Sequence, residues 1–364
     1  MADPEIATKA PESDAQEDAP APAPVPVPTA VPTAVPTPAP APAPAPAPTL
    51  SDHCTSDRPT PAGRASTGEI TKLGDVDVYI SKPADYPHTP SRLLLLLTGG
   101  TGLQSVNNQI QADRFASEGG YVVVMPDLFG GDAAPNSTKT AFSSGSESGS
   151  SLLDTFKTKA AEAAKSFMID MWLARHTEEK VLPILHKVLD AARDEFADAV
   201  ASGGGIYAVG YCFGGRYIFL LAAERPVPPP SGAGGGLTMP WSPSAAASAA
   251  SPQPSDDEEA SRPKTAGPYI KAGAIAHATL VSRDDFAGLK APISVVSVEH
   301  DPMFPDEVRT AAEDYMSKNN VEHEVQVYPG VPHGFAVLGD YDDPNIQQAQ
   351  VTAFEQMLKW LNDH

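Results

Sequence analysis

Short apolar runs recur along the chain, the early ones largely without alternation with polar residues. They are Val76–Ile80 (VDVYI), Arg92–Leu97 (RLLLLL), Tyr121–Gly131 (YVVVMPDLFGG), Gly205–Gly210 (GIYAVG), Ala272–Ala278 (AGAIAHA), Pro292–Asp301 (PISVVSVEHD) and His323–Gly330 (HEVQVYPG). Runs of this length and character suit parallel strands buried on both faces. Between them the spacing turns helical: Val106–Glu118, with Ile110 and Phe115 among its apolar positions, then Leu152–Phe196, Tyr217–Glu224, Asp306–Lys318 and Ile346–Leu361. Strand, helix, strand is the repeating unit of a parallel sheet. The pattern predicts an α/β fold with a mostly parallel central sheet and helices on both faces.

Two stretches fall outside this alternation. Within residues 1–50, APAPVPVPTAVPTAVPTPAPAPAPAPAP restricts φ at roughly every second residue and removes those amide donors, which favours an extended polyproline rod over a packed core. Residues 226–268 are rich in Pro, Ser, Gly and Ala around an acidic SDDEEA, without apolar periodicity. Such a composition predicts a disordered insertion, with a lid over the site as the other reading. The polar, turn-rich residues 51–68 are expected to drape over the domain edge. What remains, 51–364 less the insertion, is the size of one large α/β domain.

The formal net charge of −21 argues against partners with a phosphate backbone or an anionic membrane surface. RLLLLLTGG is far shorter than a membrane span, and the acidic N-terminus MADPEIATKAPESDAQEDAP lacks the basic and apolar regions of a signal peptide. With two cysteines, Cys54 and Cys212, a disulfide framework is not expected, and a reducing, cytoplasmic setting fits.

The sharpest local signal is Gly210-Tyr211-Cys212-Phe213-Gly214-Gly215, set between an apolar strand and a helix. It has the form of a nucleophile elbow with cysteine in place of serine. Flanking glycines let the strained turn pass close to its neighbours, and the helix N-terminus favours thiolate. A buried filler cysteine beside a glycine turn is the plain alternative. Downstream, Asp301 follows one strand and His333 the next, in the chain order nucleophile, acid, histidine. Histidine can take the thiol proton while the aspartate fixes its tautomer. Glu299 and His300 compete for the acid and base roles, but strand alternation sends at least one of them away from the pocket. His277, at another strand end, reads as structural or pocket-lining. His53, His88, His176 and His186 read as solvated, and no metal-ligand spacing stands out. TGGTGL offers the amide of Gly100 which, with that of Phe213, could hold a developing oxyanion.

Taken together, TGGTGL…ADRFASEGGYVVVMPDLFGGD, GYCFGG, HDPMFP and PHGF resemble the dienelactone hydrolase family from about Ser51 to the C-terminus, outside 226–268. The resemblance implies a Cys212–Asp301–His333 triad acting on small esters or lactones without a cofactor. Gly99 stands where well-studied bacterial members carry a glutamate, and HGFAVLGDYDD has no arginine where they grip a carboxylate. Both departures argue against dienelactone itself as the substrate. A non-catalytic binding protein on a hydrolase scaffold, with the Ala-Pro tract as tether, is the alternative class. Neither the tail's partner nor the natural substrate is legible.

Overall fold

A computed structural model of the chain describes residues 55–135, 164, 166–226 and 265–364. The Ala-Pro tract, Cys54, His53, residues 152–163 and nearly all of the 226–268 stretch therefore lie outside the described residues.

Eight strands form one sheet: β1 (Glu69–Leu73), β2 (Val76–Ser81), β3 (Arg92–Leu97), β4 (Tyr121–Pro126), β5 (Ile206–Tyr211), β6 (Ala272–Ala276), β7 (Ile293–Val298) and β8 (His323–Tyr328). Their spatial order is β1-β2-β4-β3-β5-β6-β7-β8. The ladders from β4 through β8 are parallel, and β2 pairs antiparallel with both β1 and β4. The α/β expectation holds. The strand at 69–73 was not expected from the pattern. It is an edge strand with four of its five residues exposed, so it shows no apolar run. A Gly74-Asp75 turn, both residues at positive φ, folds it back onto β2, as tight hairpins require.

The apolar runs behave as two-sided strands. In β3, Leu93, Leu95 and Leu97 enter one core while Leu94 and Leu96 enter the other, and every one of them is essentially buried. Helix α1 (Val106–Gly119) covers the second core together with the C-terminal helix. The first core is covered by the helix over 166–175 (α2), α3 (Glu178–Glu195), α4 (Ala197–Gly203), α5 (Phe213–Ala222) and α6 (Asp306–Lys318). The C-terminal helix, α7, spans Pro344–Asp363. Asp343 caps it, its carboxylate accepting from the Asn345 amide at 2.8 Å.

Parallel register sets where function can sit. Leu97 pairs with Gly210, Tyr211 with Ala276, and Val298 with Tyr328. Residues 98–101, 212, 277, 299–301 and 329–333 therefore all leave the sheet at the same, C-terminal edge, where open α/β sheets place their ligands. Where the chain enters and leaves the low-complexity stretch, Arg225–Pro226 and Thr265–Ala266 pair as a short antiparallel ladder. Among the described residues no helix is long and apolar enough to cross a membrane.

Candidate active site

Cys212 stands between the end of β5 and the first turn of α5, at φ 49° and ψ −115°, a conformation that non-glycine residues rarely adopt. Three backbone hydrogen bonds hold it there. Its N–H donates to the Ala276 carbonyl at 3.1 Å, and its carbonyl accepts from the amides of Thr279 at 3.1 Å and Gly215 at 3.0 Å. The glycine at 214 has a steric cause: a Cβ there would lie 2.5 Å from the Leu97 carbonyl oxygen. Its amide instead donates to the Thr98 carbonyl at 3.0 Å. That bond draws the turn carrying Gly100 against the helix N-terminus carrying Phe213. The Gly100 carbonyl in turn accepts from the Ala134 amide at 2.8 Å, which fixes the turn from outside.

Gly99 faces the cysteine directly. A Cβ at Gly99 would lie 3.1 Å from the Cys212 Cβ and 3.6 Å from its sulfur. The ten-residue helix α5 starts immediately after the thiol, so the positive end of its dipole lies beside the sulfur.

Asp301 and His333 are brought together as their order in the chain suggests. The His333 Nδ1 lies 2.6 Å from the Asp301 Oδ2, with Asp301 2% and His333 7% exposed. The other carboxylate oxygen accepts from the Met303 amide at 2.9 Å. Asp301 thus serves its own turn with one oxygen and orients the imidazole with the other. The loop bearing His333 is tied down by α7: the Gln350 side chain donates to the carbonyls of Phe335 at 3.0 Å and Val337 at 2.8 Å.

The neighbours sort themselves. Glu299 and His300 both face solvent, and His300 pairs at 3.0 Å with Asp306, whose carboxyl this contact and Arg309 hold below the usual range. His277 is fully buried, sits at φ 37°, lines the pocket with Cys212 and packs its ring 5.0 Å from that of His333. Two histidines expected to be solvated are half-buried and packed on aromatic rings. His176 joins an aromatic cluster with Phe129 and Trp172, and His186 stacks on Tyr269 at 4.6 Å. Ring faces with no ionic partner in the sequence pattern give no advance sign of such packing. Among the described residues no group of three or more His, Cys, Asp or Glu is arranged to hold a metal ion.

Cys212 opens into a cavity of about 430 Å³, counting the space open to solvent. Gly99, Thr101 and Asn108 line one side, Val337, Leu338 and Tyr341 the other. A third wall is Ser56, Asp57 and Arg58, from the segment expected only to drape over the edge. Sequence reasoning missed this wall, because its polar residues carry no periodic signal.

The chain as a whole is similar to known proteins. The sequence profile of the dienelactone hydrolase family matches residues 76–229 and 262–364. The chain is 27% identical over 297 residues to the hydrolase pyvD of Aspergillus violaceofuscus, covering 82% of this chain and 90% of that protein. It is likewise 27% identical over 302 residues to the hydrolase tropI of Talaromyces stipitatus, covering 82% and 91%. The crystal structure of a Klebsiella pneumoniae protein assigned as a dienelactone hydrolase superposes with a TM-score of 0.52 at 16% identity, over 83% of this chain and 100% of that one. At that identity the last likeness concerns the fold alone.

Proposed function

The chain belongs to the dienelactone hydrolase family, and from that membership and the geometry around Cys212 we propose that it hydrolyses a small ester or lactone through a cysteine thioester. The observation that carries the reading is the 2.6 Å contact between buried Asp301 and His333, on the same sheet edge as a cysteine held at positive φ in an elbow. Taking an imidazole and a carboxylate out of water is costly and only partly offset by their pairing, so their burial together favours a role beyond packing. A strained nucleophile nearby supplies one.

In this reading His333 takes the thiol proton, and the Cys212 sulfur attacks the ester carbonyl. The amides of Gly100 and Phe213 receive the oxyanion. As the tetrahedral intermediate collapses, the carbon–oxygen bond breaks and His333 returns its proton to the departing oxygen. Water then attacks the thioester with His333 again as base, releasing the acid and the thiol. Water is the one co-reactant that this sequence of steps needs. Alkoxide and enolate leave more readily than amines in competition with a thiolate, so esters and lactones are favoured over peptides. The two fungal relatives described as hydrolases support the same class. A reactive thiol suits a reducing compartment, and we place the protein in the cytoplasm on that ground. The interruption of the family match between 229 and 262 accords with an insertion there.

The test is hydrolysis of p-nitrophenyl acetate by wild type and Cys212→Ala side by side. Turnover confined to wild type supports the reading. Near-wild-type turnover by the variant overturns the thioester. An inactive wild type whose Cys212 also alkylates slowly at neutral pH favours a binding protein on a hydrolase scaffold.

A further inference from the structure

The amides of Gly100 and Phe213 lie on different segments, and a buried side chain belonging to neither segment touches the supports of both. Trp172, on α2, is fully buried. Its indole Nε1–H donates to the Asp132 carbonyl at 2.7 Å, in the loop that follows β4. Two residues further along that loop, the Ala134 amide donates to the Gly100 carbonyl at 2.8 Å. The loop is tied at its start by the Asp127 carboxylate, which accepts from the amides of Phe129 at 3.0 Å and Gly131 at 2.6 Å. The indole ring makes the second contact. Its centre lies 5.4 Å from that of Phe213 and 4.9 Å from that of Phe129, and those two rings lie 5.2 Å apart. The three rings close a triangle in the tilted and edge-on geometries that aromatic pairs prefer.

We propose that Trp172 is a positioning residue for ester hydrolysis, holding the Gly100 and Phe213 amides at the separation that the oxyanion requires. The proposal rests on the thioester reading of Cys212. Oxyanion donors act by being aimed before charge develops, so small displacements of either one are costly. The Gly99 carbonyl shares a peptide plane with the Gly100 N–H and accepts from the Gly102 amide at 3.1 Å, which turns the N–H to the opposite side. A Gly-Gly turn has little stiffness of its own, so the next peptide must be held from outside. The Ala134 bond does this, and the indole N–H holds the loop that carries Ala134. Arg175 adds an ion pair to Asp132 at 2.9 Å, but half-exposed pairs of this kind contribute little. On the other side, the Phe213 ring is pinned between Trp172, Phe129 and Tyr217, at the first position of α5. Filling the core needs only the ring; the N–H bond ties that ring to the support of Gly100.

The experiment compares wild type with Trp172→Phe, which keeps a ring and loses the donor, and with Leu185→Ala, a buried position of the same core on α3. Three quantities are measured on the full chain: kcat and KM for p-nitrophenyl acetate, binding of 2,2,2-trifluoroacetophenone by fluorine NMR, and alkylation of Cys212 by iodoacetamide, followed by peptide mass spectrometry. The ketone probes the oxyanion without turnover. The Cys212 sulfur adds to its carbonyl carbon, the π pair moves onto oxygen, His333 keeps the thiol proton and nothing leaves. Alkylation displaces iodide and forms no oxyanion. Trp172→Phe is expected to lower kcat and weaken ketone binding about tenfold, with KM and alkylation unchanged within about twofold. Leu185→Ala should lower the urea midpoint by at least as much and leave the three quantities near wild type. Ala134→Pro keeps Trp172, removes the amide that holds Gly100 and should reproduce the Trp172→Phe pattern, which tests the same path if Trp172→Phe does not fold. Kinetics and ketone binding near wild type in Trp172→Phe or Ala134→Pro overturn the proposal. So does alkylation that falls in step with hydrolysis, or an equal loss of kcat in Leu185→Ala. In each of these cases an active wild type and an inactive Cys212→Ala leave the thioester reading standing, whereas a wild type that neither turns over nor binds the ketone removes both.

Discussion

The imidazole of His333 meets the carboxylate of Asp301 at 2.6 Å inside the protein, and the Met303 amide holds that carboxylate from its other side. Orientation is therefore built in before any substrate arrives. Asp301→Asn can keep the Met303 bond, but its amide offers a donor or a weaker neutral acceptor towards the ring. The expected result is a folded protein whose kcat falls on the order of 10²–10⁴-fold with little change in KM. Steady-state kinetics with matched circular dichroism spectra check it. A kcat within threefold of wild type would remove Asp301 from the mechanism.

The elbow glycine at 214 is required by space rather than by its φ. An added methyl would meet the Leu97 carbonyl oxygen at 2.5 Å and could not be relieved by a side-chain rotation. Gly214→Ala should therefore move β3 away from α5 and cost about 1–3 kcal/mol in urea unfolding. Gly99→Ala is the contrasting case. Its methyl would meet the Cys212 Cβ at 3.1 Å, a contact that a few tenths of an ångström relieves. Stability should change little there, while turnover, which depends on the thiol's position, should fall several-fold.

How much of this was open to a reading of the sequence depends on which force shapes each part. Leu93–Leu97 is apolar on both faces, so a run without alternation gives the strand away. Cys212, Asp301 and His333 follow strand ends, and parallel strands deliver their ends to one edge, so chain order is enough to expect them there. The segment at 55–60 is different. It is held by hydrogen bonds from Ser105, Asn107 and Asp340, residues up to hundreds of positions away, and such pairings leave no local periodicity. The edge strand β1 is obscure for a related reason, since Ile70 points to solvent. The packing of His176 depends on Trp172 of α2 meeting Phe129 of the loop after β4.

Alkaline stability follows from the tyrosines. Burial pushes the Tyr328 hydroxyl up to about 12, with Glu324 adding to the shift. Burial also raises Tyr86 to about 12, helped by its bond to Asp198. Burial pushes Tyr79, Tyr121, Tyr211 and Tyr217 upward as well. A group whose folded pKa exceeds its unfolded value of about 10 binds more protons when folded across that interval. Its contribution is complete below about pH 10 and is lost as pH rises through the folded value. The urea midpoint should therefore hold level below that point and decline between about pH 10 and 12. Tyr328→Phe should flatten part of the decline. A midpoint that rises over this interval would contradict the assignment.

His277 gives the most discriminating prediction about the site. Its φ of 37° lies in the left-handed region, where asparagine is tolerated far better than most side chains. Its amide donates to the Val296 carbonyl at 2.8 Å, and the adjoining Ala276 and Thr279 hold the backbone of Cys212, so the local chain path must survive any useful test. His277→Asn preserves that path and removes the ring that packs 5.0 Å from His333. If the ring serves to hold His333 at its working angle, kcat should fall about tenfold while the urea midpoint moves by less than a core truncation would cause. His277→Phe keeps an aromatic ring but places a larger, wholly apolar side chain at positive φ without the local hydrogen bonding that asparagine can make. It should restore part of kcat at a measurable loss of stability. Opposite movement of kcat and stability in the two variants separates a positioning ring from a merely space-filling one. Parallel loss of both quantities would mean that His277 supports the fold and has no separate part in orienting His333.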